Sequence, residues 1–150
     1  MAAFVAFLHH LAAFTLVASL AIEMVLIGGE LTLQAARKLR LADLVYGISA
    51  GLLLIVGLAR VFHFEKGATY YFHTWTFIAK LALFVTIGLV SIIPTVEFLS
   101  WRRSVALGKP PAVSAGKVRM LRSIIHLELA GVVLILLFAA MMAKGIGLMP

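Results

Sequence analysis

The stretch His73–Pro94, "HTWTFIAKLALFVTIGLVSIIP", decides the fold. It stays apolar over the roughly 20 helical residues needed to cross a ~30 Å hydrocarbon core. It does not alternate polar and apolar positions, as a strand of a membrane barrel would. A buried backbone in lipid must satisfy its own hydrogen bonds, so the stretch is read as a transmembrane helix. Lys80 lies about two turns inside it. Three further runs have the same character, and together they predict helices over about 3–28, 43–62, 74–99 and 123–143.

Composition agrees with that reading. The 150 residues are 63% hydrophobic and only 13% charged, with a mean hydropathy of +1.12, whereas a soluble domain carries roughly a quarter charged residues. An ordinary soluble domain is excluded, and the expected architecture is all-α: one integral-membrane, up-down-up-down four-helix bundle over 1–150. No repeat or second domain is evident. The chain has no cysteine, which excludes disulfides, thiolate metal sites and cysteine redox chemistry. The first helix has no basic leader and a longer apolar run than a secretory signal, so it is expected to be retained.

The net charge of +7 would suggest nucleic acid in a soluble protein. Here Arg37, Lys38 and Arg40 fall between helices one and two, and Arg102, Arg103, Lys109, Lys117, Arg119 and Arg122 between helices three and four. The positive-inside rule makes both basic connections cytoplasmic and puts the N and C termini outside. The charge therefore reports topology in a bacterial inner (cytoplasmic) membrane, crossed several times, and no nucleic-acid partner is expected. The first connection, "ELTLQAARKLR", is helix-prone. The second, "SWRRSVALGKPPAVSAGKVRML", holds a Pro-Pro pair and is the expected flexible segment.

Helical phase sorts the polar residues. On helix one His9 and Glu23 lie within about 40° of one face, along a seam through Ala13, Leu16 and Leu20, while His10 points elsewhere. On helix three His73, Thr76, Lys80 and Ser91 stay within about 60° of one another, in a stripe interrupted by Phe84 and Ile87. Helix two sets Tyr46, Ser49 and Arg60 on one side and carries "GISAG", Gly47–Gly51, a small-xxx-small pattern that permits close helix approach. Helix four sets Glu128 and His126 on nearly opposite faces.

Alternating helix direction turns these phases into two polar layers. His9, Lys80 and Arg60 converge on the outer half, and Glu23 and Glu128 on the inner half, where Glu97 and His126 are also available. Ionisable groups at the centre of a membrane helix are penalised by about 2.5–3.5 kcal/mol, so each needs a partner or a ligand. Lys80 either snorkels to the interface or faces the bundle and meets an anion, and the in-phase His73, Thr76 and Ser91 favour the second. Glu23 and Glu128 form either a structural pair or a proton relay. Arg60, His63, Glu65, Lys66, Tyr70 and Tyr71 form either an ordinary polar junction or the rim of a site. Met141 and Met142 are expected to pack. Haem iron accepts an axial imidazole, and its propionates seek cations and tyrosines, so a His with a Lys and an Arg at one depth fits such a cofactor.

The segments "LHHLAAFTLVASLAIEMVL", "GLARVFHFEKGATYYFHTWTFIAKLALFVTIGLVSIIPT" and "LRSIIHLELAGVVLILL" resemble a bacterial family of four-helix membrane proteins, domain-of-unknown-function family 2214, over nearly the whole chain. A more distant likeness is to HemJ-type protoporphyrinogen oxidases and the copper-resistance CopD group. It rests on His9 in "FLHHL" and on Lys80, after Trp75, in "WTFIAKLAL". The likeness implies haem binding at these positions.

The resulting expectation is a haem-binding, redox-linked membrane protein that holds haem b in the outer half of the bundle, with an enzymatic oxidoreductase role left open. His9 is the metal ligand, Lys80 pairs with an anionic group or takes the other axial position, and Arg60, His73 and Tyr70 bind propionates or close the site. The lipid bilayer is one partner, a quinone or another redox carrier a second, and a homodimer the expected assembly. Two other classes stand beside it. One is a cofactor-free transporter or channel using Lys80 and the Glu23/Glu128 layer, and the other a structural subunit docking through Gly47 and Gly51.

Overall fold

A computed structural model describes residues 1–64 and 67–149. The described chain is helical throughout and has four helical stretches long and apolar enough to span a membrane: Ala2–Gly28, Leu33–His63, Trp75–Ala106 and Ala115–Ala143. Helix α1 (Ala2–Gly28) turns at Gly29 into α2 (Leu33–Ala59), which widens into a π-helical turn at Arg60–Phe64. A short α3 (Ala68–Phe72) leads to the third span, built from α4 (Trp75–Val90), α5 (Ile92–Ser100) and α6 (Arg102–Ala106). The fourth span is α7 (Ala115–Ala143).

Two helices begin earlier than hydropathy predicts. Helix α2 starts at Leu33 rather than near 43, because the Thr32 hydroxyl accepts the Ala35 N–H at 3.1 Å. Helix α7 starts at Ala115 rather than near 123, because the Ser114 hydroxyl accepts the Lys117 N–H at 3.3 Å. Both are ordinary N-caps for otherwise unpaired helix-terminal donors. A hydropathy window measures only what enters lipid, so it leaves out the charged turns Arg37–Arg40 and Lys117–Arg122 that the same helices carry past the apolar zone. The third span also runs beyond its predicted end at 99, to Ala106, leaving the Pro-Pro connection only residues 107–114.

The third span is jointed rather than continuous. Pro94, fully buried, has no N–H to give the carbonyl of Val90, and the helix breaks at Ser91. At the other end of that span the chain terminus closes the structure. Lys144–Ile146 end α7 with Gly145 at φ +73°, the Ile146 N–H bonded to Met141 O and the Gly145 N–H to Met142 O, the paired bonds of a Schellman stop. The tail then doubles back. Gly147 O accepts the Trp75 N–H at 2.9 Å, Ile146 O accepts the Thr76 hydroxyl at 3.1 Å, and the Met149 N–H bonds to His73 O at 2.8 Å. Unpaired donors at the start of α4 are thereby satisfied.

Packing runs in a ring. Helix α1 lies along α2 and touches α7, α7 lies along α4, and α2 meets α5. Leu16, Leu20, Leu39, Phe98, Leu121 and Ile125 fill the core toward the end of the bundle that carries the basic connections, hereafter the basic end. Helix α2 makes no comparable contact with α4, so the ring is open toward the end that carries the chain termini. The small-residue pair Gly47 and Gly51 faces outward, with no atom within 4 Å of where a Cβ would stand. It makes no close helix contact within the chain.

Candidate functional site

The opening between α2 and α4 is a cavity of about 400 Å³, within the ~300–1,000 Å³ range of small-molecule pockets. Its walls are mostly aliphatic, from Leu16 and Val17 on α1, Leu53 and Leu58 on α2, Leu81 and Phe84 on α4 and Val132 and Ile135 on α7. The polar exceptions are His9, His10, Arg60, Tyr71 and Lys80. Three of them, His9, Lys80 and Arg60, come from α1, α4 and the turn after α2, and both cations act electrostatically on His9.

His9 reaches this wall because Gly57 has no side chain. A Cβ there would stand 3.3 Å from the imidazole Cε1 and 3.7 Å from Nδ1. The ring is part-buried, and its Nδ1 has no hydrogen-bond partner among the described residues. His10, edge-on to it at 6.1 Å, is exposed and has its Nδ1 2.7 Å from the Ala6 carbonyl oxygen. Lys80 enters the lipid-level cavity with its ammonium 5.3 Å from the centroid of the Phe77 ring, a cation–π contact. Phe77 packs in turn on Tyr71 at 5.2 Å.

The other expected outer residues lie elsewhere. His73 is exposed, does not line the cavity, and pairs its Nδ1 with Thr69 O at 2.8 Å. Tyr70 does not line it either, and its neighbour Tyr71 does. Thr76 is buried against the chain terminus, and Ser91 donates to Gly88 O at 2.8 Å. The predicted stripe on helix three therefore divides, and only Lys80 faces the cavity. Glu65 and Lys66 lie outside the described residues. Among the described residues no three acidic or imidazole side chains come together to hold a metal ion.

The second layer is closed. Glu23 and Glu128 are each 1% exposed and are joined by Asp43, 7% exposed, which the sequence analysis did not single out. The Thr95 hydroxyl donates to Asp43 Oδ1 at 2.7 Å, and the Tyr46 side chain is hydrogen-bonded to Ser91. Glu97 and His126, expected in this layer, do not join it. Glu97 accepts from Trp101 Nε1 at 3.0 Å and pairs with Lys117 at 2.7 Å, while His126 is exposed with its Nδ1 2.8 Å from Arg122 O.

Asp43 opens the apolar run predicted for helix two, directly after the basic turn, and nothing in the sequence pairs it with the carboxylates of helices one and four. Its phase was available: it stands one helical turn before Tyr46, on the same face. Gly57 and Thr95 carried no comparable signal, since each matters only through a residue on another helix.

A family model described as "Predicted membrane protein (DUF2214)" matches residues 1–147. No curated protein and no solved structure matches the chain.

Proposed function

The chain belongs to that family of predicted membrane proteins, and from that premise we propose that it binds an amphipathic, anionic cofactor of the haem b type in the cavity between α2 and α4. One observation carries the reading: the His9 imidazole and two cations, from three separate elements, line a single, mostly apolar cavity. The aliphatic walls suit a macrocycle, and Lys80 and Arg60 suit carboxylate substituents. A lone imidazole does not hold a bare metal ion, but it suffices for one that arrives with its own equatorial nitrogens.

The fit rests on His9, whose Nδ1 is uncommitted and whose ring is seated against Gly57. His9 would hold the iron through an imidazole nitrogen. Lys80 would neutralise a carboxylate from within the bilayer, and Arg60 would do so from the edge of the bundle. Tyr71 takes the closing role first assigned to Tyr70. Bound haem would supply one-electron chemistry, which makes a quinone or another redox carrier the partner class to examine. The excess of Lys and Arg at the basic end favours a cytoplasmic location for it, and the cavity would then lie in the outer half of a bacterial inner membrane.

The test is the absorption spectrum of detergent-purified protein expressed with ample haem, followed by a pyridine haemochrome assay. A Soret band that is lost in His9→Ala supports the reading, and absence of a Soret band in the wild type sinks it.

A further inference from the structure

The carboxylate layer at the basic end takes no part in that reading. Glu23 on α1, Asp43 on α2 and Glu128 on α7 are brought together by the packing of three helices, and none is more than 7% exposed. They interact: Asp43 and Glu128 act electrostatically on Glu23, Asp43 acts on Glu128, and all three act on Tyr46. Among the described residues, no basic side chain is one of the groups acting on these three carboxylates. Arg40, one turn before Asp43 on α2, is not one of them. Lys117 from α7 is occupied by Glu97.

Three like charges in mutual reach, removed from water and without a counter-cation, repel strongly and forfeit their hydration. Asp43 has a donor in Thr95. Glu23 Oε1 and Glu128 Oε1 have no hydrogen-bond partner although both side chains are almost wholly buried. An ionised oxygen left bare in that setting is far costlier than an acid group, whose carbonyl oxygen tolerates a missing donor. Positive charge must therefore be supplied to the cluster. The described acidic side chains do not converge as a metal site, and a proton needs no coordination shell.

We infer that Glu23 and Glu128 form a reversible proton-binding site in the basic half of the bundle. Binding adds H⁺ to a carboxylate oxygen, release returns it to water, and no electron is exchanged. Asp43 is the fixed neighbour, anchored by Thr95. The site straddles the joint of the third span: Ser91, at the break, meets Tyr46, and Thr95, one residue past Pro94, meets Asp43. Gain or loss of a proton changes the charge that those two hydroxyl contacts face, so the joint is the element placed to respond.

The experiment is infrared spectroscopy of the full chain in detergent, titrated from neutral to alkaline pH in H₂O and in D₂O. The expected result is a protonated-carboxyl C=O band at neutral pH that shifts in D₂O, disappears reversibly on alkaline titration, falls by about half in Glu23→Gln or Glu128→Gln, and is absent from the double variant. Absence of the band from the wild type, its persistence at every pH, or its survival in the double variant overturns the inference. So does its loss on adding Na⁺ in place of choline at constant pH, which would make the occupant a metal cation. If a variant fails to fold, judged by helical circular dichroism, the wild-type titration decides alone. The outcome is independent of whether the cavity holds haem, which has its own absorption.

Discussion

The two ends of the bundle treat polar side chains in opposite ways. Toward the chain termini, where α2 and α4 separate, His9, Arg60 and Lys80 face a cavity. Toward the basic end, where α2 meets α5, Glu23, Asp43 and Glu128 are packed shut with hydroxyl neighbours. Both layers answer the same constraint, since an ionisable group at membrane depth must be satisfied by something. The open layer leaves room for a ligand of about 400 Å³. The closed layer leaves room only for hydrogen bonds and protons. Helix spacing, set by which pairs pack, thus separates an open cavity from a closed carboxylate layer.

The contrast is sharpest where the open layer loses the part-buried imidazole of His9. His9→Ala should lower haem occupancy by at least about 100-fold, the upper end of what losing a supporting group costs at metal sites, as read by the haemochrome assay, with helical content unchanged. The next largest effect is expected at the packing that divides the ends. A Cβ on Gly131 of α7 would collide with Ile87 Cδ1 and come within 3.0 Å of its Cγ1. Gly131→Leu should destabilise the α4–α7 pair by about 3 kcal/mol, the upper end for overpacking, in an SDS unfolding titration.

A smaller effect belongs to the closed layer. Thr95→Val removes the donor to Asp43 and should cost about 1.5 kcal/mol, with the cavity ligand retained. Loss of haem in that variant would show that the ends are not separate. The smallest effect is expected outside both layers. Lys117→Met removes the Glu97 ion pair, in which the lysine is half exposed, and should change stability by less than about 1 kcal/mol, because Trp101 still holds Glu97.

Much of this architecture was legible in the sequence. Apolar runs of spanning length located all four membrane helices, and phase with alternating direction brought His9, Arg60 and Lys80 to one level and Glu23 and Glu128 to another. What escaped had physical reasons. Helix starts at Thr32 and Ser114 are hydrogen-bonding events outside the lipid window. His73 satisfies its own turn rather than the site. Asp43 had a phase, one turn before Tyr46, but its meeting with Glu23 and Glu128 depends on how three helices pack, and Gly57 matters only because a ring from α1 lies against it.

The most direct measurement is native mass spectrometry of the full chain released from detergent after expression with ample haem. The account predicts a bound species with the mass of haem b on the wild type, absent from His9→Ala and weakened in Lys80→Met. A wild-type protein carrying only lipid or detergent, with no mass that these two substitutions remove, would contradict it.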